Sequence, residues 1–521
     1  MARLRATLGH ARRREYLRPG GPWDTGSLDA LVSRGEPAGR HRVVAGDRRT
    51  GGAALSAVVD DLAGRLRRAG VRRGDAVAFQ LPNGLAAAAA FRACWRLGAV
   101  AVPVNRAAGE SEVAASLAAT TPKVVLAAAG SPAAEAPGAL VVGAVGDPFE
   151  PLPSGPPVTL ADSAGRPGDL AVVIFTSGST GRPKAVLHTQ RGLAHKTTTM
   201  AAAHGLVPGE VALTPAPLAH VSGLLNGVLL PAAVGMTSVL MERWDPERAL
   251  DLIDGERVSF MSGPPTFFTG LLEASGFDPA RVGPLRLASV GGAPVTPAFV
   301  DSAAEALGCQ VKRTYGSSEA PMVTTTFSTD DPERGRETDG RAVGQAELVV
   351  VDPATGRPVA AGAQGELRLR GPELFCGYAD PADNEGACAR GGWFRSGDLA
   401  AVDPGGWLRV VGRLKDVIIR SGENISAAEV EAVLEAHPAV GQAAAVAYPD
   451  PVMGERVAAV VVGSDAFDLA ACREWFARRG LARFKVPERI VRLPALPTLP
   501  SGKVDRRALQ ALVAAEGAPE G

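Results

Sequence analysis

The stretch Leu170-Ala-Val-Val-Ile-Phe-Thr-Ser-Gly-Ser-Thr-Gly-Arg-Pro-Lys184 runs from an apolar segment straight into a turn dense in hydrogen-bond donors. Its last nine residues, Thr176 to Lys184, hold four hydroxyl side chains, two glycines and two cations. Loops rich in Ser, Thr and Gly also serve as plain linkers. This one offers backbone N–H groups, hydroxyls and a lysine to a single anionic object, and a polyphosphate suits them. A Walker A loop needs G-x(4)-G-K-[ST] opening a helix. Here the glycines are Gly178 and Gly181, and Lys184 leads into a second apolar run, Ala185-Val-Leu-His188. The pattern therefore predicts a loop joining two strands, with hydroxyls and Lys184 carrying the charge recognition. It argues against an ordinary P-loop ATPase and for an enzyme that uses a nucleotide differently.

A chain of 521 residues is too long for one core, so two or more domains are expected. Lys+Arg and Asp+Glu each number 55, so no long-range field draws the chain to nucleic acid or an anionic membrane. The first twenty residues are basic, with Arg12-Arg13-Arg14, and lack the apolar core of a secretory signal. A solvated tail is expected there. No run approaches the roughly 18 apolar residues of a spanning helix, so no membrane insertion is expected. Cys94, Cys309, Cys376, Cys388 and Cys472 lie far apart without a CxxC pair, which points to reduced thiols and a cytoplasmic location. Only seven of the 55 basic residues are lysine: Lys123, Lys184, Lys196, Lys312, Lys415, Lys485 and Lys503. In so arginine-rich a chain, a lysine marks a place that needs a compact ammonium.

Helix and strand signals alternate from about residue 54 to 310. Leu55, Val58, Val59, Leu62 and Leu66 share one helical face over 54–69, ended by Gly70. Ala76–Leu81 reads as a strand, 84–97 as a helix and Ala99–Val104 as a strand. Segment 130–168 reads as loop. Alternation of this kind predicts an α/β fold with crossover helices. From 346 to 412 short β-type runs dominate (Glu347–Val351, Gly365–Arg370, Trp407–Val411), which predicts a small β subdomain. Beyond it, Ser426-Ala-Ala-Glu429 is a capping box opening a helix that Pro438 stops. Ala443–Ala447 and Val457–Val462 read as strands, 468–479 and Arg506–Ala515 as helices.

Further motifs follow in order: Ser289-Val-Gly-Gly-Ala-Pro294, Thr314-Tyr-Gly-Ser-Ser-Glu319, Gly392-Trp-Phe-Arg-Ser-Gly-Asp398, Gly412-Arg-Leu-Lys-Asp416, Ser421-Gly-Glu-Asn424 and Pro500-Ser-Gly-Lys-Val-Asp505. Together with the opening loop, and over about residues 50–510, they resemble the ANL superfamily of adenylate-forming enzymes, most nearly its acyl-CoA synthetases. The resemblance implies a large N-terminal domain of α/β sheets plus a small β subdomain (1–412), and a small mobile α+β C-terminal domain (413–521). It implies ATP, Mg²⁺ and CoA as cofactors or co-substrates. Thr176, Ser177, Gly178, Ser179, Thr180, Gly181 and Lys184 would hold the β- and γ-phosphates. Gly291, Gly292 and Ala293 would let the base lie against backbone, with the Tyr315 ring stacked on adenine beside Gly316 and Ser317. Ser318, where the family more often has threonine, would touch the α-phosphate, and Glu319 would hold Mg²⁺. Asp398 and Arg413 would bind the ribose. Lys415 falls at the family's hinge, and Lys503 matches its catalytic lysine, bridging the substrate carboxylate and the α-phosphate. Ser421, Gly422 and Glu423 match the segment that faces the pantetheine tunnel.

His220, in Pro217-Leu-Ala-His-Val-Ser-Gly223, falls where the family lines its acyl site, and Val290 is assigned to the same pocket. That pocket is expected from 220–227, 261–268 and 289–293, with Met261, Pro264, Pro265, Phe267 and Phe268 among its apolar residues. The segment lacks the aspartate with which amino-acid-activating members pair an α-ammonium. No basic residue offers itself to a second carboxylate. A monocarboxylic, largely apolar acid is expected, with texture similar to cyclohexanecarboxylate–CoA and medium-chain acyl-CoA ligases. After Lys503 only 18 residues remain, so no fused carrier domain is expected. The implied reaction forms acyl-AMP and pyrophosphate, then passes the acyl group to CoA. Alternatives are transfer to an acyl carrier protein, a luciferase-like oxygenation, and an inactive nucleotide-binding homologue. A monomer or homodimer is expected.

Overall fold

A computed structural model describes residues 4–6, 8, 12–34, 41–143, 149, 151–176, 183–420, 423–450, 453–464, 466–479, 481–498 and 504–515. The chain divides into two units: residues 1–295, 299–348 and 369–395, and residues 296–298, 349–368 and 396–521.

The first unit carries two mixed sheets. One has six strands in the order Leu140–Val142, Val124–Ala128, Ala76–Gln80, Val100–Pro103, Leu170–Thr176, Lys184–Thr189. Its first five strands are parallel and only Lys184–Thr189 runs antiparallel. Parallel strands are covered on both faces and need continuous apolar runs. Ala76–Gln80 is accordingly buried at every position. Gly52–Arg68, which links a strand of the other sheet to Ala76–Gln80, buries Leu55, Val59, Leu62 and Leu66 of the face its periodicity predicts, with Val58 half-buried, and Gly70 turns the chain at φ +91°.

The other sheet has nine strands. Its centre is the parallel set Gln310–Tyr315, Leu287–Gly291, Phe260–Gly263, Val211–Thr214, Thr237–Leu240 and Arg42–Ala45, with short antiparallel strands at both ends. Leu213, Met261, Ala288, Val290 and Val311 fall on one face and join a core with Leu250, Ile253, Phe268 and Leu271. A further five-stranded sheet is built from Glu347–Val351, Gly365–Arg370, Trp393–Val402, Cys388–Ala389 and Leu408–Arg413, in the region where short β-runs predict it.

In the second unit, the strands Val440–Asp450 and Gly454–Gly463 form a long antiparallel pair, with Arg489–Arg492 added in parallel. They are longer than the apolar runs 443–447 and 457–462, because the ladder continues into polar turn residues that periodicity cannot flag. Alternate residues serve two cores. Ala443, Ala445, Val457, Ala459 and Val461 pack with Val430, Leu434, Cys472 and Phe476 of the helices Ala427–Glu435 and Leu469–Arg478. Ala444, Val446, Ala458 and Val460 pack with Leu509 and Val513 of the helix Arg506–Ala515. A period of two with both faces apolar is what a sheet sandwiched between helices requires. Ser426 caps the first of these helices by accepting from the Glu429 N–H, one half of the predicted capping box, while the Glu429 carboxylate takes Lys485 Nζ at 2.7 Å.

The solvated tail expected at the N-terminus is corrected from Arg12 onward. Tyr16 and Trp23 are each only 3% exposed and meet edge-on at 5.0 Å. The Trp23 indole N–H donates to Pro372 O at 2.9 Å, and the Arg191 guanidinium lies 3.9 Å over its ring. Two aromatic anchors outweigh the surrounding arginines, whose charges stay at the surface.

Three histidines outside the site are buried as neutral rings. Burial, with Arg92 nearby, pulls His41 down to about 4. Burial and Lys196 pull His195 down to about 4. Burial, with Lys312, Arg286 and Lys196, pulls His204 down to about 3, and neither of its ring nitrogens finds a partner among the described residues. The unfolded chain takes up these protons near pH 6.5 whereas the folded chain does not. Stability is therefore complete above about pH 6.5 and falls as the pH drops toward 4, by up to roughly 1.4 kcal/mol per pH unit for each ring. Urea unfolding at pH 7.5 and 5.0 is expected to give a clearly lower midpoint at pH 5.0, and His204→Leu is expected to flatten the difference. Equal midpoints would refute the assignment.

Candidate functional site

The antiparallel turn after Leu170–Thr176 starts the site. Thr176 pairs directly with Lys184 and Phe175 with Ala185, so the loop does join two strands. Ser177, Gly178, Ser179, Thr180 and Gly181 lie outside the described residues. Lys184 stands at the start of its strand with Nζ 3.7 Å from Asp383 Oδ1 and 4.9 Å from the centre of the Tyr378 ring.

The free edge of that strand takes up a segment from far along the chain. Cys376 N–H donates to Leu187 O at 2.8 Å, Leu187 N–H to Gly377 O at 2.9 Å and Ala379 N–H to Ala185 O at 2.9 Å. This pairing sets Tyr378 opposite Val186. The Tyr378 hydroxyl donates to Glu319 Oε1 at 2.8 Å. Burial, then the negative charge of Glu319, drives the phenol pKa far above its ordinary value, so the group remains a donor.

Glu319 lies in the loop that leaves the strand Gln310–Tyr315, and that loop is held at every turn. A Cβ at Gly316 would sit 2.4 Å from Met322 N, so only glycine allows the chain to double back there. Ser317 N–H donates to Ala320 O at 3.0 Å, and Phe375 N–H to Glu319 O at 2.8 Å. His188 Nε2 meets Ser318 O at 2.7 Å. Burial lowers the His188 pKa to about 4; the neutral ring must carry its proton on Nε2 to make this bond.

The neighbouring strand ends at Gly291, which pairs with Thr314. A Cβ on Gly291 would lie 2.2 Å from Thr314 O, and Gly292 turns at φ +80°. Ala293 is exposed beyond them. Two glycines thus bring bare backbone beside Tyr315.

His220 precedes the short helix Val221–Leu224, with Nε2 3.2 Å from Asn105 Nδ2. Asn105 Oδ1 accepts from Ala107 N–H at 2.9 Å, so the amide group donates and His220 Nε2 accepts, which leaves the ring proton on Nδ1. Asn83 fixes the approach to His220: it donates to Ala216 O at 3.0 Å and accepts from Leu218 N–H at 2.9 Å. Val290, Met261 and Phe268, read as pocket residues, are fully buried in the core of the nine-stranded sheet.

In the second unit, Asp398 and Arg413 face each other across adjacent strands, with Arg413 Nε 2.6 Å from Asp398 Oδ1. Asp398 is almost wholly buried and Arg413 nearly half exposed. Lys415 is exposed in the turn Leu414–Asp416. Glu423 opens the strand Glu423–Ser426. Ser421, Gly422 and Lys503 lie outside the described residues. Sequence reasoning missed Tyr378, His188, Asp383 and Asn83. The one signal was rarity: Tyr378 is one of only four tyrosines.

The arrangement fits a magnesium-bound polyphosphate. No three His, Cys, Asp or Glu among the described residues could cage a metal. Glu319 gives one oxygen to Tyr378, and the other could take a cation. A single carboxylate suits Mg²⁺, which draws its remaining ligands from phosphate and water.

Comparison with known proteins identifies matching families. The family model described as AMP-binding enzyme matches residues 32–379, and that of the AMP-binding enzyme C-terminal domain matches 429–503. The medium-chain fatty-acid–CoA ligase of Escherichia coli is 32% identical, over 87% of this chain and 84% of its own. The salicyl-AMP ligase / salicyl-S-ArCP synthetase of Mycobacterium tuberculosis is 34% identical, over 96% and 93%. Among solved structures, ATP-bound MatB from Rhodopseudomonas palustris superposes with a TM-score of 0.83 at 27% identity, covering 93% of this chain and 99% of that one.

Tyr378→Phe removes one buried donor and little volume. It is expected to leave thermal unfolding almost unchanged and to weaken Mg²⁺-dependent ATP binding about tenfold, about 1.4 kcal/mol, by titration calorimetry. Unchanged affinity would show that the hydroxyl does not set the Glu319 carboxylate.

Proposed function

The chain belongs to the AMP-binding enzyme family, the adenylate-forming ANL superfamily, and on that premise we propose that it converts a monocarboxylic acid with an apolar medium-chain or alicyclic body into its CoA thioester. The observation that carries this reading is the join at Tyr378. One side chain fixes the carboxylate of Glu319 and lies under the ammonium of Lys184, so a metal ligand and a phosphate-reading cation are set by the same group.

In the first half-reaction, a carboxylate oxygen of the acid attacks the α-phosphorus of ATP. The bond to the bridging oxygen breaks and pyrophosphate leaves. Lys184 and the loop hydroxyls of Thr176, Ser177, Ser179 and Thr180 neutralise the leaving group. Ser318 touches the α-phosphate, and Lys503 bridges it to the incoming carboxylate. Glu319 would hold Mg²⁺, which would supply charge neutralisation to the phosphates. Gly291, Gly292 and Tyr315 receive the adenine, while Asp398 and Arg413 take the ribose hydroxyls. His220 lines the acid site; its accepting Nε2 is already engaged by Asn105, so it presents a neutral ring to an apolar acid.

In the second half, the domain from residue 413 turns about Lys415. Lys503 withdraws, and the Ser421-Gly422-Glu423 segment faces the pantetheine arm. The CoA thiol, losing its proton, attacks the acyl carbonyl and AMP leaves. No protein nucleophile is needed, and holding the reactants in order supplies much of the rate. Resemblance to the E. coli CoA ligase supports CoA as the acceptor. A second reading, transfer to the pantetheine thiol of a carrier protein, is favoured by the similarity to the mycobacterial synthetase.

AMP release over acids of graded chain length and ring content, with CoA, with holo-carrier protein and with neither, decides between these. Thioester formation with CoA alone is expected; activity with carrier protein alone would overturn the acceptor, and no acid-dependent pyrophosphate exchange with any acid would overturn the whole reading. Lys503→Ala is expected to lose exchange by at least about a hundredfold while still passing supplied acyl-AMP to CoA. Equal loss of both halves would remove Lys503 from its role.

A further inference from the structure

Two of the seven lysines, Lys196 and Lys312, are almost wholly buried at 0% and 1% exposure. Lys312 Nζ donates to Ala203 O at 3.2 Å, a helix carbonyl remote from the site residues. Lys196 is different. It lies on the helix Gln190–His204, and its Nζ donates to Met322 O at 3.0 Å. Met322 closes the Glu319 loop, in a left-handed conformation at φ +35° that a non-glycine residue rarely adopts. The other neighbour of Lys196 is Glu373, Oε1 at 3.6 Å, with neither side chain exposed at all.

Glu373 carries the segment that holds the other side of the loop. Two residues on, Phe375 N–H donates to Glu319 O, and Tyr378 reaches Glu319 Oε1. Trp23 Nε1–H donates to O of the adjoining Pro372, and the buried Tyr16 lies close enough to feel the Glu373 charge. A dry ion pair is a poor stability device, since desolvation offsets its attraction and apolar replacements are commonly neutral. What it does supply is direction: an ammonium at one fixed point, hydrogen-bonded to the loop carbonyl on one side and ion-paired at 3.6 Å with the carboxylate of the clamping segment on the other.

We propose that Lys196 and Glu373 are positioning residues for the metal carboxylate, a buried ammonium–carboxylate tie that locks the Met322 end of the Glu319 loop to the segment 373–378 that grips Glu319. The proposal rests on the reading of Glu319 as the Mg²⁺ ligand. Groups that orient a metal ligand commonly change metal affinity ten- to hundredfold when removed.

The test is the double variant Lys196→Met/Glu373→Met in the full chain, which removes both charges and keeps apolar volume. Three quantities are read: the thermal midpoint, the half-saturating Mg²⁺ for acid-dependent pyrophosphate exchange at saturating ATP, and Mn²⁺ binding in the presence of ATP by electron paramagnetic resonance. The expected result is a midpoint close to wild type with both metal constants weakened about tenfold. Unchanged metal constants in a folded variant overturn the proposal, whether or not the rate falls, because a merely structural tie would lower rate without selecting the metal. If the double variant does not fold, Glu373→Gln, nearly isosteric, is read by the same criteria. The Mn²⁺ measurement needs no acid. Wild type that binds Mn²⁺ with ATP but shows no exchange defeats the synthetase reading alone, whereas wild-type exchange with unshifted variants defeats this inference alone.

Discussion

The pairing of Thr176 with Lys184 is the constraint on which the site depends. A parallel sheet could have continued through another crossover helix. Instead the chain reverses, and the last strand runs antiparallel with Lys184 at its mouth. An antiparallel edge strand leaves one row of backbone groups open. Here residues 376–379 fill that row, which is why Tyr378, nearly two hundred residues later in sequence, stands beside Lys184. The same strand places His188 under Ser318. Backbone pairing at one sheet edge thus sets three side chains, and none depends on a long flexible reach.

The groups around Glu319 divide by charge state. His188 is kept neutral by burial, with a pKa lowered to about 4, and Tyr378 is kept protonated by burial and by the carboxylate itself. Both can therefore donate without adding charge beside Glu319, the proposed metal ligand. A charged histidine there would compete with a cation for the same carboxylate. Among the described residues, two ammonium groups approach these elements, Lys196 on Met322 O and Lys184 over the Tyr378 ring.

Local signals made much of this legible. The helix at 52–68 followed from one apolar stripe, the helix at 427–435 from its capping box, and the hairpin from two apolar runs flanking a polar turn. Glu319, Tyr315 and Lys184 stood out because each falls inside a contiguous motif, Thr314–Glu319 or Thr176–Lys184. Tyr378 could not be read that way, since its partner lies 59 residues off, and the separations are 130 for His188 and Ser318 and 126 for Lys196 and Met322. Such pairs follow from sheet order, which composition and periodicity do not encode. The N-terminal segment misled for the opposite reason: its arginines dominate any window average, while two aromatic rings decide where it goes. Val290 and Met261 were apolar as expected, but strand alternation turned them into the core.

The two anchors of the proposed nucleotide site are held with different firmness, and the difference has a direction. Glu319 is fixed by short contacts to both its backbone and its side chain, 2.8 Å in each case. Lys184 is held by a 3.7 Å approach to Asp383 with its own side chain 29% exposed, and by the face of an aromatic ring. A partly exposed ion pair of that length contributes roughly 0–1 kcal/mol, and a cation–π contact of this kind about as much. A polyphosphate carries several negative charges and outcompetes both at little cost. On the proposed reading, then, the carboxylate is the stationary partner and the lysine the one that changes hands. A lysine suits that duty better than arginine, since a compact ammonium on a flexible stem can leave a carboxylate and a ring without breaking a bidentate fork. In a chain that uses arginine almost everywhere else, that gives Lys184 a physical reason to be lysine.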